Sequence, residues 1–161
     1  MTAENEHFYE TFQPSHYDLY IDVNRGTKVI SGRTTISGEA KATEISVHQK
    51  YLTITSVTDE AGQDLAYTVD NEHEAIRVTL REVGPTALTI TYTAPLTDTM
   101  MGIYPSYYEV AGEKKQIIGT QFETTFARQA FPSIDEPEAK ATFDLALKFD
   151  EQPGEIVLAN M

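Results

Sequence analysis

A two-residue alternation of apolar and polar side chains restricts this chain more than any other feature of its sequence. Tyr17, Leu19, Ile21 and Val23 alternate with His16, Asp18, Tyr20 and Asp22. Ile76, Val78 and Leu80 repeat the pattern, as do Leu88, Ile90 and Tyr92. It is cleanest in Phe143, Leu145, Leu147 and Phe149, where Thr142, Asp144 and Lys148 take the other face. Successive side chains of a strand point to opposite faces, so this period predicts strands with one buried face. The Thr, Val, Ile and Tyr that fill these segments suit a pleated, half-buried surface. Asn24-Arg25-Gly26, Asp59-Glu60-Ala61-Gly62, Val83-Gly84-Pro85 and Ala111-Gly112-Glu113 supply turns between them. Short strands separated by turns predict an all-β fold, a sandwich or strongly curved antiparallel sheets. At 161 residues the chain suits one domain with a sizeable core.

Composition removes several classes of function. Twelve Lys and Arg against 25 Asp and Glu give a net charge of −13, which disfavours nucleic acid because phosphate affinity rests on clustered cations. The absence of Cys removes disulfides, thiol catalysis and cysteine zinc sites together. The start, Met1 to Glu6, is acidic and polar, unlike a signal peptide. No apolar run approaches the roughly 18 residues of a membrane span. These features lead us to expect a soluble, cytoplasmic protein. Glu155 to Met161 reads as a strand cut off in progress. Such a strand is expected to present an unpaired edge that recruits a second chain.

Motifs of common catalysts are missing or incomplete. His7, His16, His48 and His73 include no pair at metal-ligand spacing. His73-Glu74-Ala75-Ile76-Arg77 begins like the zinc motif H-E-x-x-H, but its fifth position is Arg77, and it runs into the alternating segment of Ile76 and Val78. The acidic stretch from Asp59 to Asp64 lacks the calcium-loop spacing and reads as a hairpin turn. There is neither a phosphate-binding glycine loop nor a G-x-S-x-G elbow. No metal site and no catalytic residue is therefore expected in this chain.

Residues 123–141 break the alternation. Pro132 and Pro137 forbid a continuous helix, and a connection of this length is usually functional or held by specific contacts. The strand Ile117 to Glu123 enters it, with Gln121 and Glu123 on one face and Ile118, Thr120 and Phe122 on the other. An amide oxygen beside a carboxylate is a receptor for an ammonium group. The same two residues also read as polar side chains at a solvated strand end. Downstream, Arg128 with Asp135 and Glu136 is expected to form an ion pair that pins the loop. Phe126, Phe131 and Phe143 are expected to be core anchors.

Thr120-Gln121-Phe122-Glu123, Ala127 to Pro132, Asp135-Glu136-Pro137 and Lys140 to Asp144 together resemble the N-terminal domain of the M1 zinc aminopeptidases. The similarity extends to Pro14 to Leu19, to Met101 to Tyr104 and to Leu158 to Met161, so it covers nearly the whole chain. The resemblance implies a saddle of antiparallel β-sheets over residues 1–161, the N-terminal part of a peptidase whose catalytic domain lies elsewhere in the polypeptide. It implies that Glu123 binds the α-amino group of a peptide substrate and that Gln121 lines the first specificity pocket. Zinc, with its H-E-x-x-H helix and the G-x-M-E-N loop, belongs in this family to the absent catalytic domain, so the chain alone is expected to bind no catalytic zinc and to be inactive. Two positions depart from the pattern: Gln129 stands where many relatives have Arg, and Ser133 where many have Cys. A reading from another class, a non-catalytic β-sandwich that binds protein or sugar, would need Tyr104, Tyr107 and Tyr108 to cluster on one surface groove.

Overall fold

The alternating segments become strands, and their apolar faces meet in one core. The computed structural model describes residues 6–160; Met1 to Asn5 and Met161, the last residue of the supposed broken strand, lie outside them. The strands are β1 (Phe12–Asn24), β2 (Val29–Ala40), β3 (Glu44–His48), β4 (Thr53–Thr58), β5 (Ala66–Asp70), β6 (Ala75–Thr79), β7 (Gly84–Pro95), β8 (Gly102–Val110), β9 (Glu113–Gln121) and β10 (Thr142–Phe149). Besides these there are only two 3-10 turns among the described residues, Phe8–Glu10 and Ala127–Gln129.

Three sheets result, none closed into a barrel: five strands in the order β10-β1-β2-β7-β4, three in the order β3-β6-β5, and the hairpin β8-β9. Tyr17, Leu19, Ile21 and Val23 of β1 are buried with Ile30 and Ile36 of β2 and with Leu88, Ile90 and Tyr92 of β7. Ile45 and Val47 of β3 and Ile76 and Val78 of β6 join the same cluster, so the two larger sheets share one core. Gly32 pairs with Tyr92 across β2 and β7, and a Cβ there would lie 2.2 Å from the tyrosine ring. Only a residue without a side chain leaves the ring room to lie flat over β2.

The fold is all-β, but three expectations need correction. First, β10 runs parallel to β1, with Tyr17 opposite Phe143 and Leu19 opposite Leu145, whereas the other pairings are antiparallel. Residues 122–141 lead from the end of β9, in the two-stranded sheet, to β10 beside β1 in the five-stranded one. Secondly, the apolar face of β10 is open to solvent: Phe143 and Leu145 are 53% and 52% exposed. The face continues that of β1, but β10 is the outer strand of its sheet and the three-stranded layer leaves it uncovered. Phe143 is thus no core anchor, although its ring stacks on Tyr17 at 4.9 Å; Phe131 is buried, and Phe126 half-buried. Thirdly, residues 155–160 form no strand. Alternation there has no ladder partner among the described residues, and Glu155 is held instead by Arg25 of the β1–β2 turn at 2.6 Å.

Candidate functional site

The hairpin β8-β9 delivers Gln121 to the loop, and its register decides where the strand stops. The last pair of the ladder is Gly102 with Gln121. Before Gly102 the chain is turning, with Met100 at φ 59° and Gly102 at φ 71°, so residues 122 and 123 have no strand opposite them. Glu123 therefore lies just past the end of β9, not on it as the spacing predicts, and is joined to Thr124 by a cis peptide bond. Gln121 and Glu123 are both exposed, while Phe122 between them and Ile118 pack against the core. The Phe122 ring meets Phe131 edge to face at 5.8 Å. Thr120, expected on the packed face, is exposed. Two acceptors are thus presented to solvent on either side of an aromatic anchor.

The anchor rests on a loop held from many directions. Arg128 is central: its Nε donates to Oδ2 of Asp135 at 3.0 Å and its Nη2 to the Asp135 carbonyl at 3.3 Å. Its Nη1 donates to Oε2 of Glu74 at 3.0 Å, and the other Glu74 oxygen takes Nζ of Lys50 at 2.5 Å. Burial works to raise the Glu74 pKa, but Lys50 and Arg128 outweigh it and hold the carboxyl below its usual range. Arg128 is 11% exposed and Asp135 12%, so the guanidinium is largely withdrawn from water, and each of its three nitrogens donates a hydrogen bond. Glu136 is not part of this pair. Its two oxygens accept the backbone N–H groups of Phe8 and Tyr9 at 2.8 and 3.0 Å, so it ties the first 3-10 turn to the loop.

β3 completes the clamp. His48 exchanges backbone hydrogen bonds with Ser133, and its Nδ1 accepts the Asp135 N–H at 3.1 Å. The ring stacks on Phe8 at 4.1 Å. Burial, reinforced by the Arg128 charge, lowers the His48 pKa to about 4, so the imidazole is neutral with its proton on Nε2. The Tyr17 hydroxyl accepts the Ile134 N–H at 2.9 Å, and burial pushes its pKa up to about 12. The residues missed from sequence are therefore Glu74, Lys50, His48 and Tyr17. Glu74 was visible only inside a failed zinc motif, and that motif folds as a turn running into β6. Gln129 and Ser133, the two departures from the resembled pattern, are both buried and each carries a polar atom without a partner among the described residues. Gln129 also packs against Gly102, where an added Cβ would meet the glutamine Cβ at 3.1 Å.

Other candidates resolve differently. Tyr104 and Tyr108 share one face of β8 while Tyr107 points to the other, so the three do not line one groove. A cavity of about 160 Å³ lies between the loop and β10, lined by Tyr17, Phe131, Ser133, Asp135 and Phe143 among others; neither Gln121 nor Glu123 borders it. Among the described residues His7, Glu136 and Glu138 bring ligand atoms within 4.8 Å of one another. Both Glu136 oxygens are already engaged by backbone N–H groups. Among the described residues no helix is long and apolar enough to cross a membrane.

Comparison with known proteins agrees on one family. The pattern of the peptidase M1 N-terminal domain matches residues 13–161. Aminopeptidase N of Lactobacillus delbrueckii subsp. lactis is 60% identical over 154 residues, which is 96% of this chain and 18% of that protein. Aminopeptidase N of Lactobacillus helveticus is 59% identical over the same shares, and that of Lactococcus lactis subsp. lactis is 50% identical over 100% of this chain and 19% of its own length. The chain thus spans less than a fifth of the length of these relatives.

Proposed function

Because the chain belongs to the peptidase M1 N-terminal domain family, we propose that it forms the N-terminal β domain of a zinc aminopeptidase that removes N-terminal residues from peptides. Glu123 receives the free α-ammonium group of the substrate, and Gln121 beside it lines the pocket for the first side chain. The observation that carries this reading is their placement: two exposed acceptors flank a strand end whose anchor, Phe122, is seated on a loop clamped through Arg128. A carboxylate and an amide oxygen held at fixed positions reward an ammonium ion, and a blocked N-terminus would leave them unmatched. That penalty is what an exopeptidase needs.

The described residues offer no set of side chains that fits zinc. The acid–histidine cluster nearest to a ligand set uses Glu136, whose oxygens hold the Phe8 and Tyr9 amides, and the H-E-x-x-H-like stretch ends in Arg77 on a strand. The metal and its ligands are assigned to a catalytic domain in the same polypeptide, and the chain by itself is read as inactive. A cytoplasmic location is proposed on the acidic, cysteine-free composition of these 161 residues.

The test uses the full-length enzyme. Glu123→Ala should lose about 2–5 kcal/mol in kcat/KM on an aminoacyl substrate, the usual cost of truncating one member of a buried charge pair. Unchanged kinetics would remove Glu123 from the site. Aminopeptidase activity with stoichiometric zinc in the purified 161-residue chain would defeat the assignment of the chemistry to another domain.

A further inference from the structure

Backbone pairing and packing close a circuit around Glu123. Gln121 pairs with Gly102 at the end of the β8-β9 ladder. The Phe122 carbonyl accepts the N–H of Phe126 at 2.9 Å, and the Phe126 carbonyl accepts that of Gln129 at 3.1 Å. Gln129 then returns to Gly102, where a Cβ built on the glycine would meet the Gln129 Cβ at 3.1 Å and its Oε1 at 3.4 Å. Glu123 follows Phe122 directly, so the backbone held in this circuit sets where its carboxylate stands.

Gly102 answers two separate demands that exclude a side chain. Its φ of 71° lies in the left-handed region, and it rests against Gln129. Thr97 fixes the peptides on either side of it: the Thr97 N–H donates to the Ile103 carbonyl at 3.0 Å, and the Thr97 hydroxyl donates to the Met101 carbonyl. Gln129 cannot yield either. It is 6% exposed, and its neighbour Arg128 is held by Asp135, by Glu74 and by the Lys50 N–H, which its carbonyl accepts at 2.8 Å. The Gln129 amide oxygen has no partner among the described residues, so what this side chain contributes at Gly102 is packing. A close-packed contact passes strain on to its neighbours. A methyl group at position 102 would therefore push the root of the hairpin off the turn, and Gln121 would move with it.

We propose that Gly102 and Gln129 are positioning residues for the α-ammonium group of the substrate, because the contact between them sets where Gln121 and Glu123 stand. The inference rests on the reading of Glu123 as the ammonium receptor and adds the pair that aims it. Both residues act through Gln121 and Glu123 and touch no substrate atom.

The test is made in the full-length enzyme, by titration calorimetry with leucine hydroxamate and with 4-methylpentanohydroxamate, the same ligand without its amino group. Gly102→Ala and Gln129→Ala should each weaken leucine hydroxamate by about tenfold and leave the amine-free ligand within about twofold. Gln129→Met keeps the packing and drops the orphan oxygen, and should bind both ligands as the unaltered enzyme does. In a Glu123→Ala background, Gly102→Ala should add nothing to the loss, since the two changes act on one interaction. Equal weakening of both ligands, or a full further loss on top of Glu123→Ala, would make Gly102 a residue of general stability and overturn the proposal. So would a Gln129→Met variant as impaired as Gln129→Ala. Unchanged binding in Gly102→Ala, while Glu123→Ala loses the amine, overturns this inference alone. A Glu123→Ala enzyme that still prefers the amine as before overturns the reading of the site, and this inference with it. If melts show that Gly102→Ala does not fold, Gln129→Ala carries the same comparison.

Discussion

The backbone N–H of Asp135 donates to Nδ1 of His48 at 3.1 Å, across 87 residues of sequence. The imidazole can accept that bond only while it is neutral. The pKa of His48 is lowered to about 4 from an ordinary 6.5, by burial first and by the Arg128 charge second. The unfolded chain therefore binds a proton between these two values while the folded chain does not, and stability is lost as pH drops through that window. On this shift the loss is on the order of 2–3 kcal/mol by pH 4. Urea denaturation as a function of pH should show it, and His48→Gln should flatten that part of the profile. An unchanged slope in the variant would assign the acid sensitivity to other groups.

Arg128 answers to two carboxylates and a carbonyl, with Asp135 on its own loop and Glu74 before β6. Removing it leaves the largely buried Asp135 without a counter-charge, while Glu74 keeps Lys50, and losing one partner of a buried pair typically costs about 3–5 kcal/mol. Arg128→Ala should lower the urea midpoint accordingly. Arg128→Lys should recover only part of the loss, because an ammonium cannot reproduce the planar fork. An Arg128→Lys variant as stable as the unaltered chain would mean that charge alone pins the loop.

Glu136 holds the first 3-10 turn through two N–H groups, not the guanidinium. Glu136→Ala should cost about 1.5–3 kcal/mol, the range for hydrogen bonds to a charged group, and hydrogen exchange at Phe8 and Tyr9 should rise more than at Asp135. A uniform rise across the loop would point to a role beyond this cap.

Gly32→Ala would drive a methyl group to within 2.2 Å of the Tyr92 ring. Both strands are fixed by long ladders, so the clash should cost about 1–3 kcal/mol. Thermal melts of Gly32→Ala and of Gly32→Ala/Tyr92→Leu separate the causes: the leucine should relieve the methyl clash, and the two changes should be non-additive.

Much of the architecture was legible in residue order because a strand's demands are local. The alternation of Tyr17 to Val23 and of Leu88 to Tyr92 marks strands whose apolar residues are indeed buried, and Asn24 to Gly26 and Ala111 to Gly112 mark turns that form. Arg128 and Asp135 stand seven residues apart on one loop, close enough to be paired on chemistry alone, and the structure places them in contact. Alternation failed where burial depends on what lies above the strand. Phe143 and Leu145 have the same period as Leu19 and Ile21, yet no second layer reaches them.

Periodicity and turn chemistry, both properties of neighbouring residues, set the all-β character of this chain and the positions of most of its strands. Tertiary structure alone chose the partners. It ran β10 parallel to β1, brought Glu74 to Arg128 across 54 residues, turned Glu136 to the amides of Phe8 and Tyr9, and ended β9 at Gln121 because β8 begins at Gly102. Each of these depends on register between distant segments, which is decided when their apolar faces are buried together and not by the residues on either side.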